Sequence, residues 1–270
     1  MKLVFATGNP GKLKEAREIL GPGYEVMSPS DVGLAGFDVE EIGTTFRENS
    51  LIKARALWNA CGLPCFADDS GLEVDALDGA PGIYSARYAS DHNFASNIDR
   101  LLAELNALEK EAKAGTASDR RATFGTVRGG DPSQMGGMSG EAANRIGGSG
   151  LFGQPASSSA AMSSFAPVTS PDAACSSPAT FPGAARFRCV VTLILPDGNP
   201  RFFEGACEGR IARGRCGAGG FGYDPVFVPD LYPDVTMAQL SEEAKNAISH
   251  RGVALRLMAS WLSTVAPLEK

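Results

Sequence analysis

The chain has 270 residues, of which 43% are hydrophobic and 8% aromatic, enough for a sizeable buried core in one domain or two. Its formal net charge of −6 disfavours the binding of duplex nucleic acid as its main activity. The sequence has no run of about 18 apolar residues that could span a membrane. The apolar stretch at the N-terminus is shorter than the core of a signal peptide, so we expect none.

Cysteine and histidine usage argues against a zinc site. Cys61 and Cys65 do not have the two-residue gap of zinc or redox pairs. His92 and His250 are the only histidines, so no zinc cluster is expected. A chain of this length needs no disulfides, and its scattered cysteines predict a cytoplasmic protein. The six cysteines are Cys61, Cys65, Cys175, Cys189, Cys207 and Cys216.

The first elements of the chain alternate between strand and helix. Residues 2–6 predict a short buried strand, residues 7–11 a turn, and residues 12–20 a helix, because apolar residues recur there at helical spacing. A second helix begins with the capping-box sequence at 45–48 and ends at Gly62, with a proline just beyond.

The next segment predicts two strands and a helix. Residues 64–67 resemble a buried strand and residues 68–71 a loop. Residues 72–77 alternate apolar with acidic side chains, which predicts a half-buried strand. Residues 101–113 form an amphipathic pattern typical of a helix.

Beyond residue 125 the composition changes sharply. In residues 131–185, 36 of 55 residues are Gly, Ala, Ser or Pro and only four are charged. Such a segment has too few large side chains to offset the entropy of ordering its backbone. We therefore expect one domain over residues 1–270, interrupted by a flexible insertion at about 126–184. The alternative is that parts of the insertion dock locally.

The C-terminal part returns to regular patterns. Residues 187–195 predict an apolar strand, and residues 201–209 its partner in a hairpin. A glycine-rich segment at 214–222 precedes two helices, one over 237–247 and one after Ser249. Strands interleaved with helices predict a mixed α/β fold.

Three groups of residues could carry chemistry, and the first is the turn from Thr7 to Lys12. A small-residue turn between a strand and a helix offers backbone N–H groups and the helix dipole to an anion, and Lys12 adds a positive charge. The turn lacks the spacing of a Walker loop. Ordinary turn chemistry is the alternative interpretation.

The second group is the sequence Asp68-Asp69-Ser70-Gly71. Adjacent carboxylates repel each other unless a divalent cation or a lysine neutralises them, and hard oxygen ligands suit Mg²⁺. Glu40 and Glu41 could supply a further ligand, and Lys53 lies on the second helix. A surface turn, a solvated acidic loop and a snorkelling lysine are the respective alternatives.

The third group lies towards the C-terminus. An aromatic residue beside a carboxylate, as in Phe221-Gly222-Tyr223-Asp224, can stack on a base and accept from its ring N–H. Lys245, His250 and Arg251 can donate to base oxygens or phosphates. Such donors favour a 6-oxo purine over adenine. Alternatively, the two C-terminal residues only begin a helix and Tyr223 belongs to the core.

Taken in order, these motifs resemble one family, the inosine triphosphatase or Ham1-like pyrophosphatases of non-canonical purine nucleotides. The resemblance covers residues 1–113 and 185–265. Its matching segments are ATGNPGKLKEAREIL, EEIGTTFRENSLIKA, FADDSGLEVDALDGAPGIYSARYA, ARFRCVVTL, GGFGYDPVF and MAQLSEEAKNAISHRGVALRLM.

The resemblance implies an elongated, strongly twisted mixed sheet with helices forming two lobes around a central cleft, in a homodimer. It implies Mg²⁺-dependent hydrolysis of ITP, dITP and XTP to the monophosphate and pyrophosphate. Asp69 would be the acid–base residue, with Lys53 stabilising phosphate charge, and the metal ligands would be Glu40 and Asp69. The substrate-binding residues would be Thr7, Gly8, Asn9, Pro10, Gly11, Lys12, Ser70, Phe221, Gly222, Tyr223, Asp224, Lys245, His250 and Arg251.

Two departures from the family pattern are visible. Family members run almost directly from the amphipathic helix into the strand that begins here at Ala185, so the insertion puts the dimer contact and access to the cleft in doubt. In Glu40-Glu41-Ile42-Gly43, threonine is the commoner residue before the glycine.

Two other functions are compatible with the same motifs. One is a Maf-like nucleotide pyrophosphatase with another base preference. The other is a nucleotide-binding regulator without catalysis, against which the crowded Asp68 and Asp69 argue because a pure binder does not need them.

Overall fold

The computed structural model describes residues 1–122 and 178–265, and residues 115–122 by their backbone alone. The chain divides into two compact units, residues 1–108 with 167–270, and residues 109–166. The second unit contributes the C-terminal part of one helix to the described structure. The cavity and the residues around it belong to the first unit.

The first unit is built on a six-stranded mixed sheet with the strand order β2-β1-β3-β4-β5-β6. The pairs of β1 with β2 and with β3 are parallel, and the remaining pairs are antiparallel. The strands are β1 (Lys2–Phe5), β2 (Glu25–Met27), β3 (Cys65–Val74), β4 (Ala185–Ile194), β5 (Pro200–Ile211) and β6 (Phe227–Pro229).

Five α-helices accompany the sheet in the described residues, and they confirm the predicted mixed α/β class. They are α1 (Pro10–Leu20), α2 (Phe46–Cys61), α3 (Phe94–Ala122), α4 (Glu242–Ile248) and α5 (His250–Val265). Half of the capping box that predicts the start of α2 is present: the Thr45 side chain accepts from the Glu48 N–H, whereas the Glu48 carboxylate accepts from Thr44 N at 2.7 Å. Gly62 ends this helix in the left-handed conformation.

Strand β3 corrects the prediction of two strands joined by a loop at 68–71. It runs without interruption from Cys65 to Val74 and pairs with β4 along its whole length. The neighbouring strand supplies the backbone hydrogen bonds, so it overrides the turn-like composition of Asp68-Asp69-Ser70-Gly71. The two aspartates therefore lie in a strand, where successive side chains point to opposite faces.

Two helix predictions also need correction. The helix predicted at 101–113 begins at Phe94 and continues to Ala122. The helix predicted at 237–247 is a 3₁₀ turn, Met237–Gln239, followed by α4, because Leu240 is extended and Ser241 caps a new helix. The start of α5 directly after Ser249 is as predicted.

Helices cover both faces of the sheet near β1 and β3. On one face, Phe5 and Phe66 stack with ring centroids 4.4 Å apart and pack with α1 and α5. On the other face, Cys65 and Ala67 pack with Ala54 of α2. A third cluster joins the far end of β3 to α3, β5 and β6. The alternation along β3 thus assigns Asp68 to the α1 and α5 face and Asp69 to the α2 face.

Most of the predicted insertion, 126–184, lies outside the described residues. Its last part, residues 178–184, is described and packs on the body. The Phe181 side chain is 3% exposed, its N–H donates to Ile211 O at 2.8 Å, and Ala179 O accepts from Arg213 N at 2.8 Å. The predicted flexibility therefore does not extend to these residues.

The cysteines differ in part from expectation. Cys61, Cys65, Cys189 and Cys207 are free thiols. Cys216 is disulfide-bonded, which the expectation from chain length does not include. Within residues 1–122 and 178–265, no helix is long and apolar enough to cross a membrane.

Candidate active site

A cavity of about 630 Å³ lies where β1 ends and β3 continues. Strand β1 pairs with β3 only as far as Phe5 and Phe66, and the chain then turns into α1. The edge of β3 beyond this point is open towards the cavity, which is the size of a small-molecule site. Its walls come from the turn before α1, the segment before α2, the middle of β3, the 3₁₀ turn at 82–87, residues 221–224, and the start of α5.

The turn from Thr7 to Lys12 forms one wall and begins α1. The Asn9 Oδ1 atom accepts from the N–H groups of Gly11 at 2.8 Å and Lys12 at 3.3 Å, and Thr7 Oγ1 accepts from Asn9 N at 3.1 Å. Because Asn9 caps these N–H groups, the turn offers an anion the helix dipole and the charge of Lys12, whose ammonium also pairs with Asp68 at 3.1 Å. Gly11 is the residue of this turn that does not line the cavity.

Asp68 is an ionised carboxylate held by two cations. It is 1% exposed, and it accepts from Lys12 Nζ at 3.1 Å and Arg251 Nε at 2.9 Å. Burial alone would raise its pKa, but the charges of Lys12 and Arg251 outweigh burial and hold the pKa well below its usual range. A carboxylate with both oxygens paired and a low pKa is a poor proton acceptor.

Asp69 has the opposite environment on the other face of β3. Its Oδ1 atom accepts from Lys53 Nζ at 3.2 Å, and its buried Oδ2 atom has no hydrogen-bond partner among the described residues. Burial raises its pKa, and the negative charges of Glu41 and Asp68 add to this effect against the opposing charge of Lys53. Asp69 is therefore the carboxylate with an oxygen available for a proton, a water or a cation.

Lys53 of α2 joins Asp69 to the segment before that helix. Its Nζ atom lies 2.6 Å from Glu41 Oε1 and 3.2 Å from Asp69 Oδ1. Burial lowers its pKa, but the charges of Asp69, Asp68 and Glu41 outweigh burial, so the pKa is raised and the ammonium persists.

The structure corrects the predicted glutamate. Glu40 is exposed and does not line the cavity, whereas Glu41 lines it and pairs with Lys53. The Gly43 N–H donates to the Oδ1 atom of the fully buried Asn49 at 2.8 Å, which fixes the chain beside Glu41. Glu41 is held towards the cavity by its ion pair with Lys53 at 2.6 Å, and the repeated glutamates in the sequence gave no means of choosing between them.

The carboxylates fit a divalent cation only in part. Glu41 and Asp69 share Lys53, and Asp69 Oδ2 is buried without a partner in the described part of the chain. No group of three or more His, Cys, Asp or Glu side chains that could hold a metal occurs in the described ranges. Two carboxylates suit Mg²⁺ when substrate oxygens and water complete its coordination.

Phe221 marks the other end of the cavity. Lys245 Nζ lies 4.1 Å and Arg251 Cζ 5.5 Å from the centroid of its ring. The buried Asp224 accepts from Phe221 N at 2.8 Å and from Lys245 Nζ at 2.7 Å, so it positions both residues. Burial raises the pKa of Asp224 against the charge of Lys245. An aromatic ring beside cations can stack on a nucleobase.

Tyr223 and His250 are buried at the same end. The Tyr223 hydroxyl donates to Ser85 O at 3.0 Å, so it supports the wall from within the core, as one sequence interpretation has it. The His250 ring stacks on Phe187 with centroids 4.8 Å apart, and its Nδ1 atom has no partner among the residues described. Burial and the cations Arg251 and Lys245 lower its pKa well below the usual value, so the ring is neutral.

Arg251 is more enclosed than the sequence suggests. It is 1% exposed, and besides Asp68 it bonds to Glu15 of α1 and donates to Ser70 Oγ at 3.1 Å. Ser70 and Arg251 thus meet as predicted, but the guanidinium is engaged by protein groups. Glu15 is a site residue that the sequence analysis missed, although an acidic residue one turn after Lys12 was a signal for it.

Except for Gly11 and Glu40, every predicted site residue lines this cavity. Segments that are far apart in the sequence therefore meet in one place, with carboxylates and cations along the open edge of β3 and an aromatic ring at one end. The mixed sheet, its helices and this cavity together define the class of protein. It is an α/β protein with a polar site for an anionic ligand that contains a ring.

Comparison with known proteins identifies the family. The Ham1 family model matches residues 3–154 and 176–261, so the chain belongs to the Ham1 family, as the resemblance predicts. The dITP/XTP pyrophosphatase of Bacillus subtilis is 33% identical over 261 residues, covering 96% of this chain and 96% of the relative. That of Desulforamulus reducens is 37% identical over 259 residues, covering 95% and 92%.

Solved structures agree with this assignment. The Ham1 protein of Staphylococcus aureus aligns with a TM-score of 0.63 at 31% identity and covers 98% of this chain and 100% of its own. A HAM1 protein from Coxiella burnetii aligns with a TM-score of 0.64 at 29% identity, covering 98% and 99%. The predicted fold class is thereby confirmed.

Proposed function

We propose that this protein hydrolyses non-canonical purine nucleoside triphosphates, namely ITP, dITP and XTP, to the nucleoside monophosphate and pyrophosphate. The observation that carries the proposal is Asp69, a buried carboxylate with a raised pKa, one oxygen on Lys53 and the other without a partner in the described residues. Relatives named dITP/XTP pyrophosphatase support the substrate class.

The reaction we propose is attack of water on the α-phosphorus. Asp69 accepts the proton of the water as a new oxygen–phosphorus bond forms, and the bond between the α-phosphorus and the bridging oxygen breaks. The electron pair of the broken bond leaves with pyrophosphate. Lys12 and Lys53 lie beside the two aspartates, where their charges offset the negative charge that develops on the phosphate oxygens.

The proposal includes Mg²⁺ held by Glu41 and Asp69 together with phosphate oxygens. When bound, the ion would neutralise phosphate charge and orient the leaving group. Glu41 replaces the predicted Glu40 in this role because it faces the cavity. The ammonium of Lys53 contacts both carboxylates and offsets their mutual repulsion, which a bound Mg²⁺ would offset more strongly.

Base recognition belongs to the Phe221 end of the cavity. The ring offers a stacking surface, and Lys245, with its Nζ atom 4.1 Å from the ring centroid, offers a donor to a 6-oxo group. Adenine presents a 6-amino donor at that position, which a lysine ammonium cannot accept from. The site therefore favours inosine and xanthine nucleotides over adenine nucleotides.

A panel of nucleoside triphosphates tests the proposal. Purified protein with Mg²⁺ is incubated with dITP, XTP, ATP, GTP and a modified pyrimidine triphosphate, and monophosphate and pyrophosphate are quantified. We expect dITP and XTP to be turned over well ahead of the others. Preference for the pyrimidine would support a Maf-like enzyme, and binding without turnover would support a regulator.

We further propose that the protein is a cytoplasmic homodimer, because the family resemblance implies the dimer and four free thiols, against one disulfide-bonded cysteine, suit a reducing compartment. Light scattering after size-exclusion chromatography measures the mass directly. A monomeric mass at micromolar concentration would contradict the dimer.

A further inference from the structure

We propose that Arg87 binds the terminal phosphates of the substrate and the released pyrophosphate, an assignment that rests on the function proposed above. Arg87 lines the cavity and was given no role by the sequence motifs. Three features carry the assignment: a fixed backbone, an uncommitted guanidinium, and a position at the end of a series of charged contacts.

The backbone around Arg87 is anchored from two sides. Arg87 is the last residue of the 3₁₀ turn Gly82–Arg87, in which Ser85 Oγ accepts from Leu72 N of β3 at 2.9 Å. The fully buried Asn97 of α3 donates to Ala86 O at 3.0 Å, and its Oδ1 atom accepts from Ala89 N at 2.7 Å. These bonds hold the chain on both sides of Arg87 and leave only its side chain to move.

The guanidinium of Arg87 is only loosely engaged. Its Nη1 atom lies 4.0 Å from Glu41 Oε2, its Cζ atom lies 5.3 Å from the centroid of the Tyr84 ring, and the side chain is 38% exposed. It makes no hydrogen bond to any residue that the structure describes. Arg251 in the same cavity is fully engaged by protein groups. Arg87 therefore keeps its donors for a ligand.

The charged groups of the cavity form two series of contacts that meet at the adjacent aspartates of β3. The first series begins at the base end of the cavity, where Phe221 contacts Arg251. Arg251 then pairs with Asp68, and Asp68 pairs with Lys12. From Asp69, the second series passes through Lys53 and Glu41 and ends at Arg87. The contacts in this second series are the 3.2 Å, 2.6 Å and 4.0 Å ion pairs.

In the proposed arrangement the base lies on Phe221, the α-phosphate lies beside Asp69, and the remaining phosphates follow the second series. Arg87 is the last cation there. A planar guanidinium binds two phosphate oxygens at once, whereas an ammonium acts as a point charge. If the Glu41 carboxylate binds Mg²⁺, Arg87 loses only its 4.0 Å contact with Glu41. Its guanidinium is then available to bind the phosphates.

Equilibrium binding of inorganic pyrophosphate separates this role from catalysis. Isothermal calorimetry with Mg²⁺ compares the wild-type protein with Arg87→Met, Arg87→Lys and the control Arg210→Met, which removes the same charge from an exposed position of β5. We expect the Kd for pyrophosphate to rise about 10- to 100-fold in Arg87→Met and less in Arg87→Lys, because charge-assisted hydrogen bonds are lost. The control is expected to bind as the wild type does.

Binding of dIMP gives the second measurement, because a monophosphate does not extend to Arg87. Its Kd is expected to be unchanged in all variants. A folded Arg87→Met variant that binds pyrophosphate as tightly as the wild type overturns the assignment, and so does an equal loss of dIMP affinity. Failure of the proposed function is distinguishable, because wild-type protein would then release orthophosphate or nothing, whereas pyrophosphate binding remains measurable.

Discussion

Asp68 and Asp69 are neighbours in one strand, yet their carboxylates lie on opposite faces of the sheet and their pKa values move in opposite directions. Asp68 meets Lys12 and Arg251, which lower its pKa against the effect of burial. Asp69 is buried beside Glu41 with one oxygen lacking a partner in the described residues, and its pKa is raised. One carboxylate is thereby suited to organise cations and the other to accept a proton.

Substitution of each aspartate by asparagine separates these roles. Asp69→Asn removes the proposed proton acceptor, so we expect kcat to fall about 10²-fold or more with the fold intact. Asp68→Asn removes one of the two carboxylates that pair with the buried Arg251, and we expect the free energy of unfolding to fall by up to about 3–5 kcal/mol. Steady-state kinetics and denaturant unfolding measure both. Near-normal kcat in a folded Asp69→Asn variant would assign the base elsewhere.

The raised pKa of Asp69 also predicts effects of pH. Its acid limb in kcat/KM is expected at a pKa above the ordinary 3.8, because the base must lose its proton before it can act. A raised pKa in the folded state favours the protonated form, so its stabilising contribution is present at low pH and lost as pH rises through that pKa. Asp69→Asn imitates the protonated form and is expected to raise the melting temperature at pH 7. An unchanged or lower melting temperature would contradict the unfavourable burial of the charge.

The adjacent glutamates provide a matched pair of variants. Glu41→Gln removes a carboxylate that faces Lys53 in the cavity, whereas Glu40→Gln changes an exposed residue. We expect the Mg²⁺ concentration for half-maximal activity to rise about tenfold or more in Glu41→Gln, the scale of one lost charged ligand contact. Glu40→Gln is expected to behave as the wild type. The reverse pattern would restore the original prediction for Glu40.

The predicted insertion at about 126–184 offers a test of where the folded part of the chain resumes. Replacing residues 126–172 by a short linker removes few large apolar side chains and no cysteine, and loop length affects stability by only about 0.6 kcal/mol per doubling. We expect the melting temperature and kcat to stay close to those of the full chain. Phe181→Ala is expected to lower the free energy of unfolding by about 3–5 kcal/mol, because that ring is buried in the core.

Two outcomes would show that this boundary is wrong. Unfolding of the 126–172 deletion would mean that the segment is a structural element. A melting temperature unchanged by Phe181→Ala would mean that residues 178–184 belong to the dispensable loop after all.

The sequence predicted which residues line the cavity better than it predicted the elements that carry them. Local patterns are strong at Thr45 and Ser249, where a cap marks a helix start, and both starts are confirmed. The Asp68-Asp69 sequence is turn-like by composition, and only the pairing with β4 makes it a strand. The family resemblance brought distant motifs together, which neither periodicity nor spacing could do.

Contacts between separate elements account for the differences within the site. Glu41 rather than Glu40 pairs with Lys53 of α2, and the engagement of Arg251 depends on Glu15 of α1. A role for Arg87 could not be predicted from the sequence, because it depends on the proximity of Arg87 to Glu41 in the folded structure. Such relationships are tertiary, and a single sequence does not display them.

The most direct test of the central claim is the fate of labelled oxygen during hydrolysis of dITP. The reaction is run in water enriched in a heavy oxygen isotope, and the products are separated and analysed by mass spectrometry. Attack of water at the α-phosphorus predicts that the label enters dIMP and that the pyrophosphate carries none. Label in pyrophosphate, or release of orthophosphate and a diphosphate as first products, would contradict the account.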